Sequence, residues 1–334
     1  MPGLEPILTV WLFLLGLVLG SFLNVVIGRL PDGESIVSPG SRCQSCGHPL
    51  RWYENLPVLS WLIQGGRCRA CRAPISVRYL VVELLTGGLF LACLARFGFN
   101  WSLVQALTLV MVVVPLIFID AEQWILPFEL TLPGIALGVL LRIPGGWPSV
   151  EAGLIGGAAG FLSFRLLEFI GLYAFKKEAL GMGDKYLVAM LGAFLGWKAL
   201  FAIVLFSSLQ GSIVGLVRLA LTGRAGPEAK SAEEEAPPPG EGDADEELPA
   251  PTITWEFRAP GLSPVKRVLL FVWCIFFQPI PDEEKDDSGE ELEWQPGASN
   301  LPFGPWLGLS GLEVMLLGQV LSSHLSPMGL GWLF

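Results

Sequence analysis

The sequence predicts an all-α, polytopic membrane fold of about eight transmembrane helices, with one small cysteine-bearing loop domain. Three observations carry that expectation. Of 334 residues, 52% are hydrophobic and only 16% are charged, with a mean hydropathy of +0.57, too apolar for an ordinary water-soluble domain. Long apolar runs recur along the chain, bounded by charges, prolines or turn residues. The six cysteines are too few for a disulfide scaffold, and four of them form two Cys-x-x-Cys pairs. The absence of a Gly-X-Y period or a sustained heptad excludes collagen-like and coiled-coil classes.

A spanning helix needs roughly 20 apolar residues. Candidate runs are Pro6–Ile27, Tyr79–Ala95, Trp101–Ile119, Leu130–Leu141, Val150–Phe175, Tyr186–Gly196, Ala199–Leu221 and Phe303–Leu321. The fourth and sixth are short enough to follow a shallow or re-entrant path. The first lacks a basic leader and an Ala-x-Ala type of cleavage site, so it reads as a retained anchor and not as a signal peptide.

Orientation follows from the distribution of Lys and Arg. The loop after the first span carries Arg29, Arg42, Arg51, Arg67, Arg69, Arg72 and Arg78 against Asp32, Glu34 and Glu54, which places it in the cytoplasm. The connections near Asp120, at Lys176–Lys185 and at Gly223–Leu301 then fall on the same side. The expected organisation is a first transmembrane helix at 1–28, a cytoplasmic loop domain at 29–78, a membrane core at 79–224, an acidic insert at 225–300, and a last helix with the C-terminus at 301–334.

The formal net charge of −10 belongs to that insert. Residues 225–300 hold 18 acids and 5 bases, leaving 13 acids against 16 bases elsewhere. Rich in Glu, Pro and Gly, the insert is expected to be largely disordered, with an interfacial helix at 264–281 where VLLFVWCIFF is too short to span. It reads as a passive tether, as a docking site for assembly partners, or as an attractor of basic peptides. Nothing in the charge pattern fits nucleic acid.

Cys43-x-x-Cys46 and Cys68-x-x-Cys71 lie 21 residues apart, close to the spacing of four-cysteine zinc sites. In a reducing compartment two disulfides are disfavoured. A closed shell of four thiolates predicts a structural Zn²⁺; a redox dithiol pair is the competing reading. His48 reads as a bystander, and Cys93 and Cys274 as small hydrophobes.

Ionisable groups at the edges of spans are costly and therefore mark function. Asp120 closes the run LVMVVVPLIFID, and Asp184 sits in Gly181-Met-Gly-Asp-Lys185, 64 residues later but on the same predicted membrane face. Two carboxylates confined together cannot both ionise easily, an arrangement that suits peptide hydrolysis with one acting as base and the other as acid. Gly181 and Gly183 let the backbone bend and approach an extended substrate. Read alone, Gly-x-Gly-Asp also fits a helix entry capped by Asp184, and Asp120 fits a cap or a snorkelling end residue. Glu83, close to the cysteine loop, is the next candidate, ahead of Arg165, Glu168, Lys198, Arg218 and Glu313.

Cys68, Cys71, Glu83 and Asp184 lie within a set of recognisable segments: GSFLNVVIGRLP (20–31), NLPVLSWLIQGGRCRACRAPISVRY (55–79), VELLTG (82–87), GMGDKYL (181–187) and LPFGPWLGL (301–309). Together with the knuckles and Asp120, these segments resemble the prepilin peptidase family, the Gly-x-Gly-Asp membrane aspartic peptidases of type IV pili and type II secretion. The resemblance implies Asp120 and Asp184 as the catalytic pair, Gly181, Gly183 and Lys185 as the supporting loop, and Cys43, Cys46, Cys68 and Cys71 as zinc ligands. It also implies a bacterial inner-membrane enzyme that cleaves a basic leader from prepilins and pseudopilins, between Gly and Phe, and then methylates the new N-terminus with S-adenosylmethionine. Peptidase activity alone, or a non-catalytic scaffold for pilus or secretion assembly, are the alternatives. No Gly-rich dinucleotide fingerprint marks a methyl-donor site. This chain departs from the family at Phe128, which stands where a second acid is usual with Glu129 only following it, at Leu80, where Pro is usual, and in the acidic insert.

Overall fold

The computed structural model describes residues 5–175, 181–222 and 302–326. Among these lie nine α-helices and no strand, only the isolated bridges Arg42 to Pro49 and Arg67 to Pro74. The helices are α1 (Glu5–Arg29), α2 (Leu59–Gln64), α3 (Val77–Phe97), α4 (Trp101–Gln123), α5 (Phe128–Leu140), α6 (Trp147–Phe175), α7 (Asp184–Leu195), α8 (Trp197–Thr222) and α9 (Gly304–Leu325). The predicted insert and its interfacial helix at 264–281 lie outside the described residues.

Seven of the nine helices are long and apolar enough to cross a membrane. Ile7, Val10, Trp11, Leu14 and Val18 of α1 are all more than half exposed, a distribution that only a hydrocarbon solvent tolerates over such a length. The chain is a multi-pass membrane protein. Of the eight predicted spans, the sixth becomes α7, whose 12 residues reach only about 18 Å. It is enclosed by its neighbours: Leu187 to Leu191 and Ala193 are at most 2% exposed.

Two compact units divide the chain: 1–164 with 181–211 and 302–334, and 165–180 with 212–301. Within the second, Arg165 donates to Glu168 at 2.8 Å on the last turns of α6.

Small residues set the packing of the first unit. A Cβ on Gly16 would fall 2.8 Å from Gly87 Cα, and one on Gly20 2.8 Å from Glu83 Cα, so α1 and α3 touch backbone to backbone. Gly156 and Gly160, spaced as G-x-x-x-G, do the same for α6 against α7, where a Cβ on Gly156 would meet Gly192 O at 2.1 Å. Without a hydrophobic force between helices in lipid, such close approach is what associates them. The pairs Phe128 with Tyr186 and Gly138 with Phe194 show α5 and α7 running side by side in the same direction. Replacing Gly156 by Val must push α6 off α7 and cost about 3 kcal/mol or more. Gly88→Ala, with nothing within 4 Å of the new methyl, is neutral or slightly stabilising. Thermal unfolding in detergent compares the two; equal midpoints would refute the packing argument.

Candidate active site and metal centre

The Arg-rich loop is organised around its cysteines. In the first knuckle Cys43 N–H donates to His48 O and Gly47 N–H to Cys43 O; in the second Cys68 N–H donates to Ala73 O and Arg72 N–H to Cys68 O. Both turns require positive φ at the residue after the second cysteine, and it is Gly47 (φ 69) in one and Arg72 (φ 62) in the other. The four sulfurs lie within 4.8 Å of one another, with Cys43 Sγ 3.9 Å from Cys71 Sγ. A tetrahedral Zn²⁺ with Zn–S bonds of about 2.3 Å wants sulfurs about 3.8 Å apart. The donor set therefore fits one metal ion, and the sulfurs form a single cluster instead of two separate dithiols.

Local electrostatics agree. The backbone N–H of Cys46 brings the Cys43 thiol down to about 6, and that of Cys71 lowers Cys68. At Cys46 the N–H of His48 favours the thiolate, but hydrogen bonding with Cys71 and the other thiols prevails and pushes it up to about 12. The cluster thus holds a proton that a bound cation would displace. His48 turns its Nε2 to Glu54 Oε2 at 3.6 Å. Buried Glu54 accepts from Arg51 N–H at 2.9 Å and approaches Arg69 of the other knuckle at 4.0 Å. The Arg51 N–H, then His48 and Arg69, hold its carboxyl below the usual range.

Glu83 fastens this loop to the membrane core. From α3 it accepts Val58 N–H at 2.7 Å, just before α2. Arg29 at the end of α1 donates to Pro39 O at 2.8 Å and Ser35 O at 3.1 Å.

At the loop-bearing ends of the helices, Asp120 lies in the last turn of α4 and Asp184 is the first residue of α7; they are 6% and 5% exposed. Neither is a cap. Asp120 sits where a helix dipole disfavours a carboxylate, and Asp184 Oδ2 accepts from Gly181 N–H at 3.2 Å, outside the helix. Asp184 N–H in turn donates to Gly181 O, also at 3.2 Å, closing the Gly-x-Gly-Asp turn on itself. Asp120 Oδ2 is sealed from solvent and makes no hydrogen bond of standard geometry among the described residues.

Two glycines and one leucine bring the aspartates together. A Cβ on Gly304, at the start of α9, would fall 2.5 Å from Asp120 Oδ2 and 3.3 Å from Leu126 Cδ1; one on Gly183 would fall 2.5 Å from Leu126 Cβ. Leu126 thus bridges the turn carrying Asp184 and the segment lying on Asp120. Lys185, beside Asp184, is buried with its ammonium 5.8 Å from the Tyr186 ring. Phe128, where the resembling family has an acid, packs edge-on against Tyr186 at 5.1 Å. Leu126 carries no chemical signal and the sequence does not mark it.

Two family models match the chain: the bacterial peptidase A24 N-terminal domain over residues 14–97 and the type IV leader peptidase family over 106–216. A prepilin leader peptidase/N-methyltransferase from Myxococcus xanthus (strain DK1622) is 55% identical over 323 residues, 96% of this chain and 94% of the relative. The chain belongs to the type IV leader peptidase family. Proteins of the same name from Aeromonas hydrophila and Neisseria gonorrhoeae are 42% and 36% identical over 61% and 63% of this chain, and 79% and 82% of their own lengths. No solved structure gives a significant match. Within the leader peptidase family, the N-terminal domain match holds all four cysteines and Glu83, and the peptidase match holds both aspartates.

Proposed function

We propose that this protein cleaves the basic leader from prepilins and pseudopilins through Asp120 and Asp184, and then N-methylates the residue exposed. One observation carries the peptidase half: two buried carboxyls from different helices, Asp120 and Asp184, lie at the same end of the bundle. Of the pair, the ionised aspartate takes a proton from water as its oxygen attacks the scissile carbonyl. The protonated one donates to the developing oxyanion; the proton taken from water then passes to the leaving amine, and the gem-diol hydroxyl returns its proton to the second aspartate as the C–N bond breaks. Gly181 and Gly183 admit the substrate strand, and Lys185 supports the loop.

The four cysteines are assigned to a structural Zn²⁺, since a closed thiolate shell leaves no position for substrate. S-adenosylmethionine would supply an electrophilic methyl group for the new amine; no step is assigned to particular residues for it. The reading places the enzyme in the bacterial inner membrane, with the zinc loop, the aspartates and the acidic insert facing the cytoplasm, where basic leaders are retained. The domain boundaries 29–78 and 225–300 follow from it, the insert being a surface for pilus or secretion partners.

Reconstitution with a prepilin, followed by product mass, tests both halves. Leader loss without added cofactor, and one methyl increment only when S-adenosylmethionine is present, is the expected result. Leader loss with no increment leaves a peptidase alone, and an uncleaved prepilin leaves a scaffold.

A further inference from the structure

At the membrane face opposite the aspartates, a cavity of about 280 Å³ opens among the ends of α3, α4, α7, α8 and α9. Its polar lining is Arg96, Ser102, Gln105 and Gln319, and its apolar lining includes Leu109 and Met315. No acid lines it. The polar groups are graded along the helices: Ser102 opens α4 and Leu109 lies seven residues further in, about 10 Å deeper.

An independent feature fixes the level of this rim. Trp101, Trp147 and Trp197 begin α4, α6 and α8, all on this face and all exposed. Tryptophan at successive helix ends marks the headgroup layer. Trp101 lies one residue before Ser102 of the cavity rim, and its Nε1–H donates to Leu141 O at 2.6 Å.

Arg96 is the charged member of the lining. Its Nε–H donates to Leu316 O at 3.1 Å, which anchors the guanidinium to α9. The guanidinium lies 5.1 Å from the Phe97 ring, and its Nη hydrogens, which make no hydrogen bond among the described residues, form the fork that chelates phosphate oxygens. The other charged groups of this face lie outside the lining. Arg142 is spent on Ala193 O and Phe194 O at the end of α7. Lys198 stands against the Trp197 ring, and Glu151 is exposed on α6.

We propose that this cavity is a binding site for one anionic phospholipid, its phosphate on Arg96 with Ser102 or Gln319, and an acyl chain descending past Leu109 and Met315, Gln105 being engaged with Leu141 O at 2.6 Å. A cationic rim at headgroup depth above an apolar floor is the chemistry of an anionic amphiphile. The lipid ties α4 and α7, whose far ends carry Asp120 and Asp184, to α9. The assignment is independent of the reaction those aspartates catalyse.

The test uses full-length protein, delipidated in an uncharged detergent. Phosphatidylglycerol is expected to raise the unfolding midpoint by about 3 °C or more, by the linkage of binding to stability, whereas phosphatidylcholine and inorganic phosphate leave it in place. Native mass spectrometry should retain one phosphatidylglycerol per chain. Arg96→Gln is expected to lose most of the shift. Ser102→Phe, which plugs the mouth while keeping Arg96, loses it as well and decides the matter if Arg96→Gln fails to fold. An equal shift from phosphatidylcholine or from free phosphate, or a full shift retained in Ser102→Phe, would overturn the proposal.

Discussion

Asp120→Asn and Asp184→Asn are each expected to lower leader cleavage by about 10³-fold or more while leaving the protein folded, because an amide has the shape of the carboxyl but cannot carry the proton. The local geometry supports the second half of that statement. Gly181 N–H donates to Asp184 Oδ2, and the carbonyl oxygen of Asn accepts the same bond, so the turn persists. Asp120 makes no standard side-chain hydrogen bond through Oδ2 to lose. Because the pair acts as a unit, the double variant should be scarcely worse than either single one. Cleavage rate on a reconstituted prepilin, read beside the unfolding midpoint, provides the measurement. A single variant that still cleaves at a normal rate would end the two-aspartate mechanism, and a large drop in midpoint would make the loss structural.

How far these features were legible in the sequence depends on which physics writes them. Asp120 and Asp184 stand out because a carboxyl in an apolar run is expensive, and their common membrane face follows from counting spans. The cysteine cluster is legible in its spacing, since a knuckle is a local turn. The enclosure of α7 is open at that level: Tyr186–Gly196 looks short for a span, and the contacts of Gly156 with Gly192, Gly138 with Phe194 and Gly311 with Leu191 close α6, α5 and α9 around it. Leu126 and Gly304 were likewise hidden, being joined by a contact between residues more than 170 positions apart, with no charge or periodicity to announce it. The helix α2 was missed although its stop signal is present: Gly65 takes φ 61 and donates to Leu62 O and Trp61 O as the chain leaves the helix.

Removing the metal is expected to unfold the loop between Ser41 and Ile75 and leave the membrane helices intact. Within that segment the buried residues are only Glu54, Gly66 and Cys68, too few to replace what a bound ion supplies. Structural zinc contributes apparent binding free energies of about 10–16 kcal/mol, which in such sites is folding free energy. Cys43→Ser and Cys68→Ser each remove a sulfur whose ionisation neighbouring backbone N–H groups favour, and are expected to mimic the chelator. The attachments at either side should survive in part, since Arg29 grips Pro39 O and Glu83 grips Val58 N–H without using the sulfurs. Limited proteolysis then cuts between Ser41 and Ile75 in chelated or substituted protein and not in the native one, while helix content by circular dichroism changes little. Metal analysis of the native protein should give one zinc per chain. A protease pattern unchanged after the metal has been shown to leave would mean that Glu54, His48 and Arg69 hold the loop by themselves.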